Sequence, residues 1–190
     1  EYPRWDRHKL YYETLEGWLM RRILVFLVVL GLLLGVSPLG ARGAELNVAT
    51  QIQADMLPCI FPAFPERKEI DIYATMDPAK EVGGDFYDFY KLSDTTVAFL
   101  AADVSGKGIP AAMFMMTAKT IIKDLAESGM AVNDIFTKAN EKLCENNESG
   151  MFVTAWMGIL DLTTGNVQFA NAGHNPPLLK RADGSFEYLK

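Results

Sequence analysis

Two strand-like stretches, Phe86–Leu92 and Thr96–Ala102, flank the turn residues Ser93-Asp94-Thr95 and leave no polar face. Tyr87, Phe89, Val97, Phe99 and Ala101 fall on one side, and Phe86, Tyr90, Ala98, Leu100 and Ala102 on the other. An antiparallel hairpin that is apolar on both faces has to lie between two layers. Centring the turn on Asp94 sets the register: Leu92 faces Thr96, Phe89 faces Phe99, and Asp85 faces Asp103. Directly opposed residues have Cα atoms about 4.5–5.5 Å apart and side chains on one face. Two carboxylates that close repel, and each raises the other's pKa. A hard divalent cation such as Mg²⁺, Mn²⁺ or Ca²⁺ removes the conflict, because it prefers carboxylate, carbonyl and water oxygens. Glycines beside both acids, Gly83-Gly84 and Gly106 with Gly108, let backbone approach a ligand closely. The plainer alternative is a pair of loop acids facing water. The sandwiched hairpin argues against it by setting both at the rim of a core.

Composition narrows the rest. A chain of 190 residues with 49% apolar content has the length for one domain plus an appendage. The net charge of −6 argues against a nucleic-acid partner for the globular part. Charge is uneven: residues 1–44 hold six Lys/Arg against four Asp/Glu, and the remainder twelve against twenty. Cys59 and Cys144 fit no metal or redox spacing and read as ordinary thiols. His8 and His174 are too few and too far apart for a histidine-based zinc site.

Along the chain, Ile23–Val36 is a run of fourteen apolar or glycine residues between Arg21-Arg22 and Ser37-Pro38. It is short for a bilayer span, which needs about 20 residues. Residues 1–44 are therefore read as a membrane anchor or a signal-peptide-like segment, with a buried core helix as the bland alternative. Residues 45–65 read as a connector: a helix over Leu46–Leu57, with Leu46, Ala49, Ile52, Gln53 and Met56 near one stripe, then a proline-punctuated linker. That helix either packs on its own domain or pairs with another copy. Residues 66–190 form the globular part. Glu69–Met76 alternates as a strand with Ile70, Ile72, Ala74 and Met76 on one face, and the hairpin follows. Ile109–Ser128 is a helix with Pro110 in its first turn and Gly129 ending it. Its Met113, Phe114, Met115 and Met116 read as core filling. Val132–Asn146 is a second helix; Phe152–Asp161 with Asn166–Ala170, and Leu178–Lys180 with Phe186–Leu189, are hairpins. This order predicts an α+β fold with antiparallel sheets.

Asp103-Val104-Ser105-Gly106-Lys107-Gly108, between an apolar strand and a helix, lacks the glycine and lysine spacing of a phosphate-binding P-loop. The key acid instead stands at the strand tip, with the next backbone carbonyl available beside it. From about Asn47 onward the chain resembles the catalytic domain of metal-dependent (PPM-type) serine/threonine protein phosphatases, in the bacterial SpoIIE-like branch. The matching stretches are Ala49-Thr50-Gln51-Ile52-Gln53 with Met56-Leu57-Pro58, Pro78-Ala79-Lys80-Glu81-Val82-Gly83-Gly84-Asp85-Phe86-Tyr87-Asp88, Ala102 through Gly108, and Asn171-Ala172-Gly173-His174. The resemblance implies an antiparallel β-sandwich flanked by helices, with a two-metal Mg²⁺ or Mn²⁺ site at one edge. It implies that Asp103 bridges the metals, that Asp85 binds one of them, and that the Val104 carbonyl is a further ligand. Asp88 belongs to the motif but falls on the opposite strand face from Asp85, so its expected role is structural. His174 is expected to give structural support rather than touch substrate. The family's later acidic motifs lie past Lys190, so the chain is expected to be a weak catalyst whose metal ligands are incomplete. The implied chemistry is one-step hydrolysis of phosphoserine or phosphothreonine by an activated water. The implied substrate is a small phosphorylated regulatory protein of the anti-sigma-factor-antagonist type. A homodimer through the connector helix, a membrane attachment and a cytoplasmic catalytic domain complete the expectations.

Overall fold

The computed structural model describes residues 38–78 and 80–189. The apolar run Ile23–Val36, read above as an anchor or signal-like segment, lies outside the described residues. Among the described residues, no helix is long and apolar enough to cross a membrane. Helix α1 spans Pro38–Met56, so it begins well before the Leu46 start expected from its apolar stripe.

The central element is a four-stranded antiparallel sheet in the order β1-β2-β3-β4. Its strands are β1 (Phe86–Lys91), β2 (Thr96–Val104), β3 (Val153–Asp161) and β4 (Val167–Ala172). Helices α2 (Ile109–Glu127) and α3 (Val132–Cys144) connect β2 to β3. The register of β1 on β2 runs from Phe86 opposite Ala102, through Phe89 opposite Phe99, to Lys91 opposite Val97. That is the pairing the turn chemistry predicts, since a turn centred on one residue fixes every pair along both strands.

One face of the sheet is covered by helices. Phe86, Tyr90, Ala98, Leu100, Ala102 and Val104 are buried there in one cluster with α2 and α3. Helix α2 contributes Ala111, Met115, Ala118, Ile122 and Ala126, spaced three and four apart so that small residues alternate with large ones. Met115 is fully buried, whereas Met113 is 60% exposed, so the methionine cluster fills the core through only part of its length. Asp88 also lies on this face, 4% exposed, with Lys119 of α2 bonded to it at 2.5 Å. Its structural placement follows from strand parity alone, because Asp88 shares a face with Phe86 and Tyr90.

The other face carries rings. Phe99 and Trp156 lie 5.6 Å apart, Trp156 and Phe169 5.8 Å, and Phe61 and Phe89 5.6 Å between centroids. Gly158 is required among them, since a Cβ there would stand 2.7 Å from the Phe99 ring. A small antiparallel pair, β5 (Leu178–Lys180) and β6 (Phe186–Tyr188), forms the second sheet. Leu178 and the following chain line an open groove of about 800 Å³ over these rings.

Glu69–Met76 is not a strand. The alternation itself is present: Ile70, Ile72, Ala74 and Met76 are half-buried, and Glu69, Asp71, Tyr73 and Thr75 are exposed. The segment is extended but makes no ladder with another described strand. Alternating hydropathy reports which side of an extended chain meets the protein; it carries no information about a hydrogen-bonding neighbour.

Candidate metal centre

The carboxylates come together by continuing the hairpin one step. Phe86 pairs with Ala102, so Asp85 stands opposite Asp103 at the end of the ladder, on the face away from the helices. Both are exposed, each next to a buried residue: Phe86 follows Asp85 and Val104 follows Asp103. The Asp85 carboxyl is pushed above its ordinary value, first by partial burial, then by a hydrogen bond to Asp103 and by that residue's charge. The part that comes from Asp103, second to burial, is the repulsion expected of a neighbouring acid. The native state therefore holds the Asp85 proton more tightly than the unfolded chain does. Its contribution to stability is complete below the ordinary carboxylate range and is lost as pH rises through the raised value. In metal-free protein this one contribution should decline across that interval, so Asp85→Asn should change the slope of the unfolding midpoint against pH in the direction of greater stability at neutral pH. A thermal-unfolding series from acid to neutral pH checks this; an identical slope in the variant would remove Asp85 from the account.

The Val104 carbonyl is placed by both neighbouring strands. The Ser105 N–H donates to the Phe152 carbonyl at 2.8 Å. Antiparallel ladders alternate, so the Val104 carbonyl turns the opposite way, toward Gly84. A Cβ on Gly84 would lie 2.8 Å from that oxygen, 3.0 Å from the Val104 Cβ and 3.3 Å from the Ala111 Cβ. Gly84 is thus a close-approach glycine: it lets the two strand ends meet beside the acids. Gly84→Ala should force them apart by a few tenths of an ångström or more, and it should lower cation affinity at least tenfold with a smaller effect on far-UV circular dichroism. Unchanged affinity in a folded variant would show that the approach is not needed. The turn that follows β2 needs glycine for a different reason, as Gly106 has φ 89° and Gly108 φ 73°.

Asp85, Asp103 and the Val104 carbonyl are hard oxygen donors, and Mg²⁺ is typically held by one or two carboxylates with several waters. The residues present therefore fit a hard divalent cation in kind. Among the described residues no group of three or more His, Cys, Asp or Glu converges, so what the described residues offer such a site is a pair of carboxylates with a carbonyl.

Three neighbours take contacts here that the sequence reading did not assign to them. Thr154 pairs directly with Asp103 across β2 and β3. Its hydroxyl lies 3.0 Å from His174 Nδ1 and 3.4 Å from the Asp103 carbonyl oxygen. The Asn171 carboxamide holds His174 from both sides, accepting from its N–H at 2.8 Å and donating to its carbonyl at 3.0 Å. His174 therefore stands in the row Asp85, Asp103, Thr154, tied by its ring and its backbone. Gln53 is the third neighbour. It is 3% exposed in α1, and its carboxamide bonds both backbone groups of Gly83. Ile52, expected on the same stripe, is 52% exposed instead. Thr50 takes the place beside Gln53 and donates to the Glu81 carbonyl at 2.8 Å.

Comparison with known proteins bears on the fold and the family rather than on the individual site residues. Residues 93–190 match the profile of the family Stage II sporulation protein E (SpoIIE). Phosphoserine phosphatase RsbU of Bacillus subtilis is 31% identical over 133 residues, covering 70% of this chain and 38% of RsbU. Protein IcfG of Synechocystis is 29% identical over 178 residues, covering 80% of this chain and 28% of that protein. Among solved structures, the RsbU and RsbW domains of a Mycobacterium tuberculosis protein superpose with a TM-score of 0.51 at 30% identity, covering 59% of this chain and 31% of that one. The chain thus spans well under half the length of these curated relatives.

Proposed function

The chain belongs to the SpoIIE family, and from that premise we propose that it carries the metal-binding part of a protein phosphatase acting on phosphoserine or phosphothreonine. The observation that supports this most is the opposition of Asp85 and Asp103 beside the Val104 carbonyl. A bound Mg²⁺ or Mn²⁺ pair would supply Lewis-acid polarisation of phosphoryl oxygens and a water of lowered pKa. The chain's own residues do the rest. Asp103, at the tip of β2, holds the central carboxylate; Asp85 faces it from β1; Gly84 keeps the two strand ends close. No serine or cysteine nucleophile is needed for a one-step hydrolysis of this kind. The substrate we propose is a small phosphorylated regulatory protein, of the class that antagonises an anti-sigma factor. The support for that is family resemblance alone. Catalytic silence on the same fold is the competing possibility, and retention of both acids and both glycine motifs favours the enzyme.

The experiment is a phosphate-release assay of a full-length version of the protein on a phosphoserine protein and on p-nitrophenyl phosphate, with Mn²⁺ and then with chelator. Turnover that requires Mn²⁺ and stops with chelator is expected. Turnover that ignores chelator, or none on either substrate in any metal, would overturn the proposal.

A further inference from the structure

We propose that Gln53 is a positioning residue for the cation site: its buried carboxamide fixes the Gly83-Gly84 backbone, from which Asp85 and the Val104 carbonyl take their places. This rests on the metal-dependent reading above. Gln53 Nε2 donates to the Gly83 carbonyl at 2.6 Å, and the Gly83 N–H donates to Gln53 Oε1 at 2.9 Å. Both hydrogen-bonding groups of one glycine are therefore held by one side chain from thirty residues away. The next residue, Gly84, is packed so closely on Val104 that a Cβ would stand 2.8 Å from its oxygen. The residue after that is Asp85.

The strand ladder does not reach these residues. The paired register of β1 on β2 begins at Phe86, so residues 83–85 stand outside it. Glycine has the widest backbone freedom of any residue, and neither Gly83 nor Gly84 has a side chain to anchor itself. The direction in which Asp85 leaves the loop is set by what grips the glycines from outside. Around Gln53 the grip is continuous: Thr50 bonds the Glu81 carbonyl at 2.8 Å one turn earlier, and Leu57 is buried one turn later. A carboxamide 3% exposed and doubly bonded has one geometry available to it. Losing it leaves a Gly83 N–H and carbonyl without partners next to the ligands. Linkage makes the coupling reciprocal. If Gln53 tightens cation binding through Gly83, a bound cation tightens the Gln53–Gly83 contact.

The test uses the full chain and Mn²⁺ alone. Gln53→Met keeps the volume and removes both hydrogen bonds; Gln53→Asn keeps the amide but is too short to reach. Ile135→Ala, at a fully buried position of α3, is the control for general destabilisation. Free Mn²⁺ is followed by electron paramagnetic resonance, and hydrogen exchange at the Gly83 amide is read with and without Mn²⁺. Both Gln53 variants should weaken Mn²⁺ binding at least tenfold, and added Mn²⁺ should slow Gly83 exchange in the wild type but not in the variants. Ile135→Ala should lower the Tm and leave the Kd within twofold. Wild-type Mn²⁺ affinity in either folded Gln53 variant would overturn the proposal, and so would an equal loss of affinity in Ile135→Ala. A wild-type chain that binds no Mn²⁺ would instead remove the metal-dependent reading on which the proposal stands. If Gln53→Met fails to fold by circular dichroism, Gln53→Asn decides the comparison.

Discussion

Replacing Asp103 with asparagine should lower Mn²⁺-dependent phosphatase activity by about 10³-fold or more, which is roughly 4 kcal/mol of transition-state stabilisation. Asp103 is the acid at the centre of the site: Asp85, one residue before β1, faces it by extension of the register, Thr154 faces it from β3, and the Val104 carbonyl follows it in the chain. Its loss removes negative charge where any cation would be held, and it also removes the part of the rise in the Asp85 carboxyl that comes from Asp103 rather than from burial. The substitution should cost little stability, because Asp103 is exposed and the ladder around it is main-chain. Metal-free Asp103→Asn should be as stable as the wild type or slightly more so at neutral pH. The two readouts thus move in opposite directions. A variant that keeps most of its metal-dependent activity would show that the central carboxylate is not Asp103.

The second large effect is on stability and comes from the other face of the same strands. Lys119→Met should destabilise the domain by about 3–5 kcal/mol, because it leaves the Asp88 carboxylate buried without its partner. Asp88 is 4% exposed and Lys119 8%, and Nζ reaches Oδ2 at 2.5 Å. The Phe89 N–H also donates to Asp88 Oδ1 at 3.0 Å, so the carboxylate is held from both sides. For a chain of this size, a loss of that order lowers Tm by roughly 6–20 °C. The double variant Asp88→Leu with Lys119→Met should recover much of the loss, since a well-packed apolar pair often matches a buried ion pair. Thermal unfolding of the two single variants and the double variant separates the outcomes. A Tm within about 2 °C of the wild type for Lys119→Met, less than 1 kcal/mol for a domain of this length, would show that Asp88 finds water or another donor.

The hairpin was legible because its information is local. Ser93-Asp94-Thr95 fixes the turn, the turn fixes the register, and the register carries Asp85 to Asp103 and Asp88 to the opposite face. The extent of α2 was legible for the same reason, since Pro110 and Gly129 mark its ends, but its buried stripe of Ala111, Met115, Ala118 and Ile122 was not read from the sequence, where the Met113–Met116 cluster stood for it. What sequence could not supply was partnership across distance. Thr154 reaches Asp103 only because β3 returns beside β2 after two helices, a pairing separated by 51 residues. Glu69–Met76 had the pattern of a strand without a described strand beside it. In α1, the apolar stripe pointed to Ile52 as a packing residue. The contact instead runs through Thr50 and Gln53, because the surface that α1 meets is glycine backbone, which asks for hydrogen bonds rather than hydrocarbon. A polar residue within an apolar helical stripe was the available signal, and Gln53 was its carrier.

Asp85 and Asp103 are proposed to hold a divalent cation together. The most direct measurement is a Mn²⁺ titration, followed by electron paramagnetic resonance, of the wild-type chain and the Asp85→Asn and Asp103→Asn variants at neutral pH. Saturable Mn²⁺ binding in the wild type, weakened at least tenfold in each variant while their circular dichroism stays unchanged, is the predicted result. Equal Mn²⁺ binding in all three proteins, or none in the wild type, would contradict it.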